Sequence, residues 1–224
     1  MASPNFDALN LQHSKNIGDP VAAAGTDGKR WSSAQRTYHL NEAIRRWIRK
    51  QYIAGMSRES RSQDAGRAWE SLGSYVVQSS ETLSSSSLAF SSFSGGAPAH
   101  IIAVYNVTDG VVVKRLPQKF VSYANSNANS FLASSSSNEY WYSEGDKLHI
   151  DSNSEGSASA LVSVIYVKRH TDLSVAGASD IAVPSNSWDQ IQDLAFKVAM
   201  EEVGDSESAA RGILKEQIVN GEIA

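Results

Sequence analysis

Cysteine is absent from the chain, which excludes disulfides, thiolate metal sites and a cysteine nucleophile. The fold must therefore hold by packing or by partners. Long apolar runs are missing as well, and the N-terminal MASPNFDALNLQH has no basic segment leading into a hydrophobic one. Neither a membrane partner nor export by a recognisable signal is expected. The sequence has no GxGxxG, no phosphate-cradling GxxxxGK[ST] and no HExxH. His13, His39, His100, His149 and His170 stand apart from one another, and none has a second ligand at metal spacing. Serine is plentiful but never in the Gly-x-Ser-x-Gly setting of a nucleophile elbow. Asp151, Asn153, Glu155 and Gly156 alternate as in a calcium loop, yet the twelfth position is Val162 where a bidentate Glu is needed, so a polar turn is expected there. Asn106-Val107-Thr108 is a formal glycosylation sequon without a route to modification. No catalytic residue, cofactor site or metal ligand is assigned, and the chain is not read as an enzyme.

What is present describes a soluble globular chain of one or two domains: 224 residues, 41% hydrophobic and 20% charged. Its organising stretch is Trp31 to Tyr52, expected to be one amphipathic helix of roughly 33 Å entered through Ser32 or Ser33. Leu40, Ile44, Trp47, Ile48 and Gln51 follow the spacing of one face, while Arg45, Arg46, Arg49 and Lys50 fall on the opposite arc. One side is core and the other is cationic. From Lys29 to Arg67 ten Lys and Arg outweigh three acids, so this segment carries +7 and the rest of the chain −11. Such a division suits a basic surface for nucleic acid, complementary faces between subunits, or a solvated helix face with no partner.

Residues 1–28, with little periodicity, are expected to form an arm or loop, and residues 29–75 the N-terminal helices, the long one ending near Gly55 and a second over 57–73. Residues 76–183 read as a mainly β inserted module with a serine-rich entry, where Leu88, Phe90 and Phe93 are available as anchors. Within it, the runs around Asp109-Gly110 and around Glu144-Gly145-Asp146 predict two hairpins. Residues 161–167, apolar on both faces, predict a central strand. Residues 184–224 are expected to be C-terminal helices, the first capped by a Ser187/Gln190 box and carrying Ile191, Leu194, Ala195, Val198 and Ala199 on its core face. Phe196 and Met200 lie nearly opposite that face, which makes them a candidate subunit-contact patch. Asp205 is expected to cap a last helix. The expected architecture is α+β: N- and C-terminal helices packed as a helical bundle, with an inserted antiparallel β module.

The stretches WSSAQRTYHLNEAIRRWIRKQY, with its Leu-Asn-x-Ala core, EYWYSEGDKLHI, VSVIYVKRHTDL and DIAVPSNSWDQIQDLAFKVAM together resemble a bacteriophage head-to-tail adaptor, the connector beneath the portal of tailed phages. They cover most of residues 31–203. The resemblance implies a structural virion protein, made in the host cytoplasm and placed at the head-to-tail interface. It implies a homo-oligomeric ring of twelve copies, a dodecamer, whose partners are itself, the portal protein, a downstream tail protein and the genomic DNA passing through its channel. In that setting Arg45, Arg46, Arg49 and Lys50 are the candidate docking or DNA-path surface. Two alternatives stay open: another joint or tail component, such as a stopper, tail terminator or minor tail protein, and a basic-helix nucleic-acid-binding module.

Overall fold

The computed structural model of the chain describes residues 5–56, 68–83, 86–107, 110–116, 139–151, 161–175 and 182–204. The chain divides into two compact units, one made of residues 1–74 with 170–224 and the other of residues 75–169. The polar turn expected after Asp151 (residues 152–160) and the helix expected from Asp205 fall outside the described residues, as does most of the second helix expected after Gly55.

The described residues of the first unit include the α-helices α1 (Phe6–Asn16), α2 (Ser33–Met56) and α3 (Trp188–Val203). Helix α1 occupies a stretch expected to be an arm or loop. Its buried positions, Phe6, Leu9, Asn10, His13 and Ser14, do follow the three-and-four spacing, but three of the five are polar, so hydrophobic periodicity passes over them. Asn5 starts it by accepting from the Ala8 amide at 2.8 Å. Helix α2 opens through a reciprocal box in which the Ser32 amide donates to Gln35 Oε1 at 3.0 Å and the Gln35 amide to Ser32 Oγ at 3.2 Å. Leu40, Ala43, Ile44, Trp47 and Ile48 are buried along it. Helix α3 buries Ile191, Leu194, Ala195, Val198 and Ala199 and ends at Gly204 in the left-handed region. The Ser187/Gln190 box is not made: residues Ser185–Ser187 form a 3₁₀ turn that feeds straight into α3, and the Ser187 side chain makes no capping bond.

Gly55 does not cap α2 but sits inside it, buried, because an aromatic ring lies where its side chain would be. A Cβ there would meet the Trp69 ring at 2.5 Å, and the Gly55 carbonyl accepts from Trp69 Nε1 at 3.1 Å. The glycine is thus a packing site for Trp69, which stands in a helical turn at residues 68–71.

The second unit is a single seven-stranded sheet: β1 (Val76–Thr82), β2 (Ser87–Ala89), β3 (Pro98–Asn106), β4 (Val111–Arg115), β5 (Tyr140–Glu144), β6 (Lys147–Asp151) and β7 (Leu161–Lys168), in the order β1-β7-β3-β4-β5-β6-β2. Strands β1 and β2 lie at opposite edges, yet only residues 83–86 join them. Seven strands laid flat would separate those edges by about 29 Å, whereas five Cα steps reach at most about 17 Å. The sheet must curl. Val104, Val113, Trp141, Leu148, Ile150, Val164 and Tyr166 fill its concave side, joined by Leu88 and Phe93 from the serine-rich segment. Asn106, the sequon residue, is buried and donates to the Glu139 carboxylate at 3.0 Å.

This overturns the expected architecture. The fold is a mixed α+β chain dominated by a curled seven-stranded sheet, not a helical bundle carrying an antiparallel β insert. The sheet is not purely antiparallel either, since β4 and β5 run parallel through Lys114↔Tyr140 and Arg115↔Trp141. Serine-rich β1 and β2 carry too few large apolar residues to announce themselves, and they supply both edges. No helix among the described residues is long and apolar enough to cross a membrane.

Gly55→Ala separates propensity from packing. Helix propensity alone favours alanine by about 1 kcal/mol, while the Trp69 ring opposes a Cβ by about 1–3 kcal/mol of overpacking. Packing should win, and urea unfolding of the variant should show a lower midpoint than the parent protein.

Candidate functional site

The cationic arc of α2 is partly neutralised within the chain. Arg45 pairs with Glu42 at 3.2 Å and with Asp172, and Arg46 pairs with Glu42 at 3.2 Å and with Glu201 of α3 at 2.9 Å. Arg49 is exposed and Lys50 is half-buried. The four residues therefore share an arc but not a role: two arginines brace α2 against neighbouring segments, and Arg49 faces outward. Tyr38, Glu42, Arg45, Arg49, Ile53 and Met56 follow one another by three or four residues along the same outward stripe. Large apolar side chains stand at both of its ends, with Tyr38 54%, Ile53 57% and Met56 43% exposed.

Beside this arc Asn41 holds the segment that follows β7. Its Nδ2 donates to the Leu173 carbonyl at 2.9 Å, and its Oδ1 accepts from the Leu173 amide at 3.0 Å and from His170 Nε2 at 2.9 Å. Burial first, and then the Arg45 charge, push the His170 pKa down to about 4 against the pull of Asp172, so the imidazole is neutral at pH 7.

On the inner side of α2 the stripe Arg36, His39, Leu40, Ala43, Ile44, Trp47 begins with two ionisable residues. Arg36 is fully buried. Its guanidinium donates to Asn10 Oδ1 at 3.2 Å and to the carbonyls of Trp31 at 2.8 Å, Ala24 at 3.2 Å and Thr26 at 2.5 Å. The carboxylate of Asp19 orders the same loop by accepting from the amides of Lys29, Arg30 and Trp31 at 2.8–2.9 Å. Burial works against its charge, but these three donors outweigh it and hold the carboxyl below its ordinary range.

One turn on, His13 Nε2 lies 3.2 Å from His39 Nδ1, and His39 Nε2 lies 2.6 Å from Glu202 Oε2. Gln35 donates to the other oxygen of Glu202 at 3.1 Å. Both histidines are fully buried. Burial, the His39 neighbour and Arg36, in that order, push the His13 pKa down to about 3. Burial also lowers that of His39, although Glu202 draws it upward. The hydrogen bond from His39 keeps Glu202 below the usual carboxylate range. The three groups stand in series instead of converging on a point, and no cluster of three His, Cys, Asp or Glu among the described residues is arranged to hold a metal ion. What the series can do is bind and pass a proton.

Phe196 and Met200, the candidate subunit-contact patch, face Ile17 and Trp31. Met200 is buried there and Phe196 half-buried, so the second apolar side of α3 is covered from within the chain. In the second unit an open cleft of about 490 Å³ is lined by Phe90, Glu144, Asp146, Lys147 and Arg169, with Arg169 paired to Asp146 at 3.1 Å.

No protein-family model matches the chain, and no curated protein sequence matches it significantly. The polar centre was missed by motif reading because His13 and His39 are 26 residues apart and Glu202 is a further 163 away. One signal was available. Arg36 precedes Leu40 by four residues and His39 precedes Ala43 by four, which places both on the apolar face where a charge needs a partner.

Replacing Arg36 by methionine keeps most of the volume and strands Asn10 Oδ1 and the Thr26 carbonyl, while the Trp31 and Ala24 carbonyls keep the Gly28 amide and the Ser33 hydroxyl as donors. A loss of about 3 kcal/mol or more is expected, read as a lower urea midpoint with an unchanged slope.

Proposed function

We propose that the chain is a structural virion protein of a tailed bacteriophage, a head-to-tail adaptor whose twelve copies form a ring joining portal to tail around a channel for DNA. The observation that carries this reading is the Asn41 bracket. Two stretches on which the family resemblance stands, Leu40-Asn41-Glu42-Ala43 and the Arg169-His170-Thr171-Asp172-Leu173 run, are far apart in sequence, and the three hydrogen bonds of Asn41 together with the Arg45–Asp172 pair join them. The two stretches that resemble the family belong to one tertiary element, which supports reading them together.

The outward stripe of α2 is the surface we assign to contact with a neighbouring copy or the portal. Exposed Tyr38, Ile53 and Met56 offer apolar anchors with Arg49 among them, the mixture favoured at protein interfaces. A phosphate-binding role needs available cations, and the carboxylates on Arg45 and Arg46 count against the DNA-path version of this arc.

The test is the mass of the purified protein alone and after mixing with the portal protein. A complex containing twelve copies is expected, with or without the portal present. Arg49→Glu combined with Ile53→Ser should leave the free protein's melting temperature within a few degrees of its parent and abolish the complex. A protein that stays monomeric under both conditions, and binds DNA tightly with steep salt dependence, overturns the proposal in favour of the nucleic-acid module.

A further inference from the structure

Helix α1 is held by unusually poor polar bookkeeping. Asp7 Oδ1, Asn10 Nδ2 and His13 Nδ1, all on α1, are buried and find no hydrogen-bond partner among the described residues. An eleven-residue helix is marginal by itself, so α1 depends on its docked contacts. Among these, Phe6 and Leu9 contribute apolar burial, and Gln192 of α3 donates to the Leu9 carbonyl at 2.9 Å. The contact that can change with conditions is His13 on His39.

The hydrogen atoms at that contact follow from the network. Glu202 is an ionised acceptor, so His39 Nε2 carries the proton directed at it. Neutral His39 then presents a lone pair at Nδ1, and His13 Nε2 must be the donor across 3.2 Å. A first added proton is tolerated if it sits on His39 Nδ1, paired with Glu202, while His13 turns to its other tautomer and carries its hydrogen on the partnerless Nδ1. A second proton has no such place: both facing nitrogens would then be donors, and two imidazolium ions would share a fully buried site.

The surrounding charges leave that second proton uncompensated. From α2, Arg36 adds a like charge. From the loop before α2, Asp19 is engaged by three backbone amides, and Asp27 accepts from the Ser33 amide at 2.7 Å. From α3, Glu202 reaches His39 but not His13, and Glu201 is taken by Arg46. The rings against His39 are Trp31 at 4.9 Å and Tyr38 at 6.2 Å, both edge-on, and neither supplies a counter-charge.

We infer that α1 is an acid-releasable strap: protonation of the buried His13–His39 pair detaches Phe6–Asn16 from α2 and α3 while the sheet of the second unit stays folded. The sign is fixed by linkage. Both histidines are depressed in the docked state, so the docking they support is complete above the ordinary imidazole pKa near 6.5. It is lost progressively as pH falls from there toward the docked value, which is about 3 for His13.

Hydrogen exchange of the intact protein between pH 7 and 4.5 tests this, read as protection factors so that the intrinsic pH dependence of exchange cancels. The α1 amides should lose at least about tenfold in protection per pH unit below pH 6, one proton's worth, while amides of β7 hold theirs. In His13→Gln, whose amide can still donate to His39 but cannot be charged, the α1 slope should flatten. Equal loss of α1 and β7 in one transition, a flat α1 profile in the parent protein, or an unchanged slope in the variant overturns the strap. Should His13→Gln not fold, the parent's imidazole resonances decide. They should titrate over the pH range in which α1 loses protection, and constancy of both across that range refutes the inference.

Discussion

A single buried guanidinium organises the first unit. Arg36 is anchored one turn into α2 and reaches three separate pieces of backbone in the loop that precedes the helix, as well as the Asn10 side chain on α1. The Trp31 and Ala24 carbonyls accept from the Gly28 amide and the Ser33 hydroxyl as well, but the Thr26 carbonyl has the guanidinium as its one donor among the described residues, and a buried carbonyl without a donor is costly. The guanidinium therefore specifies where the loop runs, with Asp19 binding the amides of the same loop from the other direction. The loop in turn places Trp31, which covers Met200 and packs against His39. Buried charges seldom add net stability compared with apolar replacements; here the gain is a defined path for a chain segment that carries little apolar area.

The second unit rests on a geometric constraint. A short link between the two edge strands forbids a flat sheet, and the curl it imposes creates the concave side that the apolar residues fill. Small side chains along β1 suit this arrangement. Glu81 turns inward and is satisfied by the amide and hydroxyl of Ser94, both at 2.9 Å, so that a carboxylate is accepted at the margin of an apolar core.

Legibility in the sequence followed apolar content. Helix α2, the core face of α3 and the two glycine-turn hairpins stand where periodicity and turn chemistry indicate, because each combines a regular period with large side chains or an Asp-Gly or Gly-Asp turn. Helix α1 escaped because its buried stripe is half polar. Strands β1 and β2 escaped because serine hides alternation, and with them went the sheet's edges, its curl and its share of the fold. Helix α2 does end beside Gly55, at Met56, but nothing local reveals that Trp69 occupies the space above the glycine. The four cations of α2 were legible as an arc, but their division into braces and an outward-facing Arg49 depends on Asp172 and Glu201, carboxylates more than a hundred residues away. The buried histidine pair depends on similar long-range placement.

Asn41 ties two of the stretches that carry the resemblance, and the same helix presents Tyr38, Arg49, Ile53 and Met56 outward. A helix that is core on one side, braced by ion pairs on its flank and apolar at both ends of its outer stripe suits repeated contact between copies better than it suits a free surface. The most direct measurement is a cryo-electron-microscopy reconstruction of the protein in its native particle. The account predicts twelve copies in a ring between portal and tail, with the outward stripe of α2 in contact with protein. Isolated copies away from that joint, or a ring in which this stripe faces solvent, would contradict it.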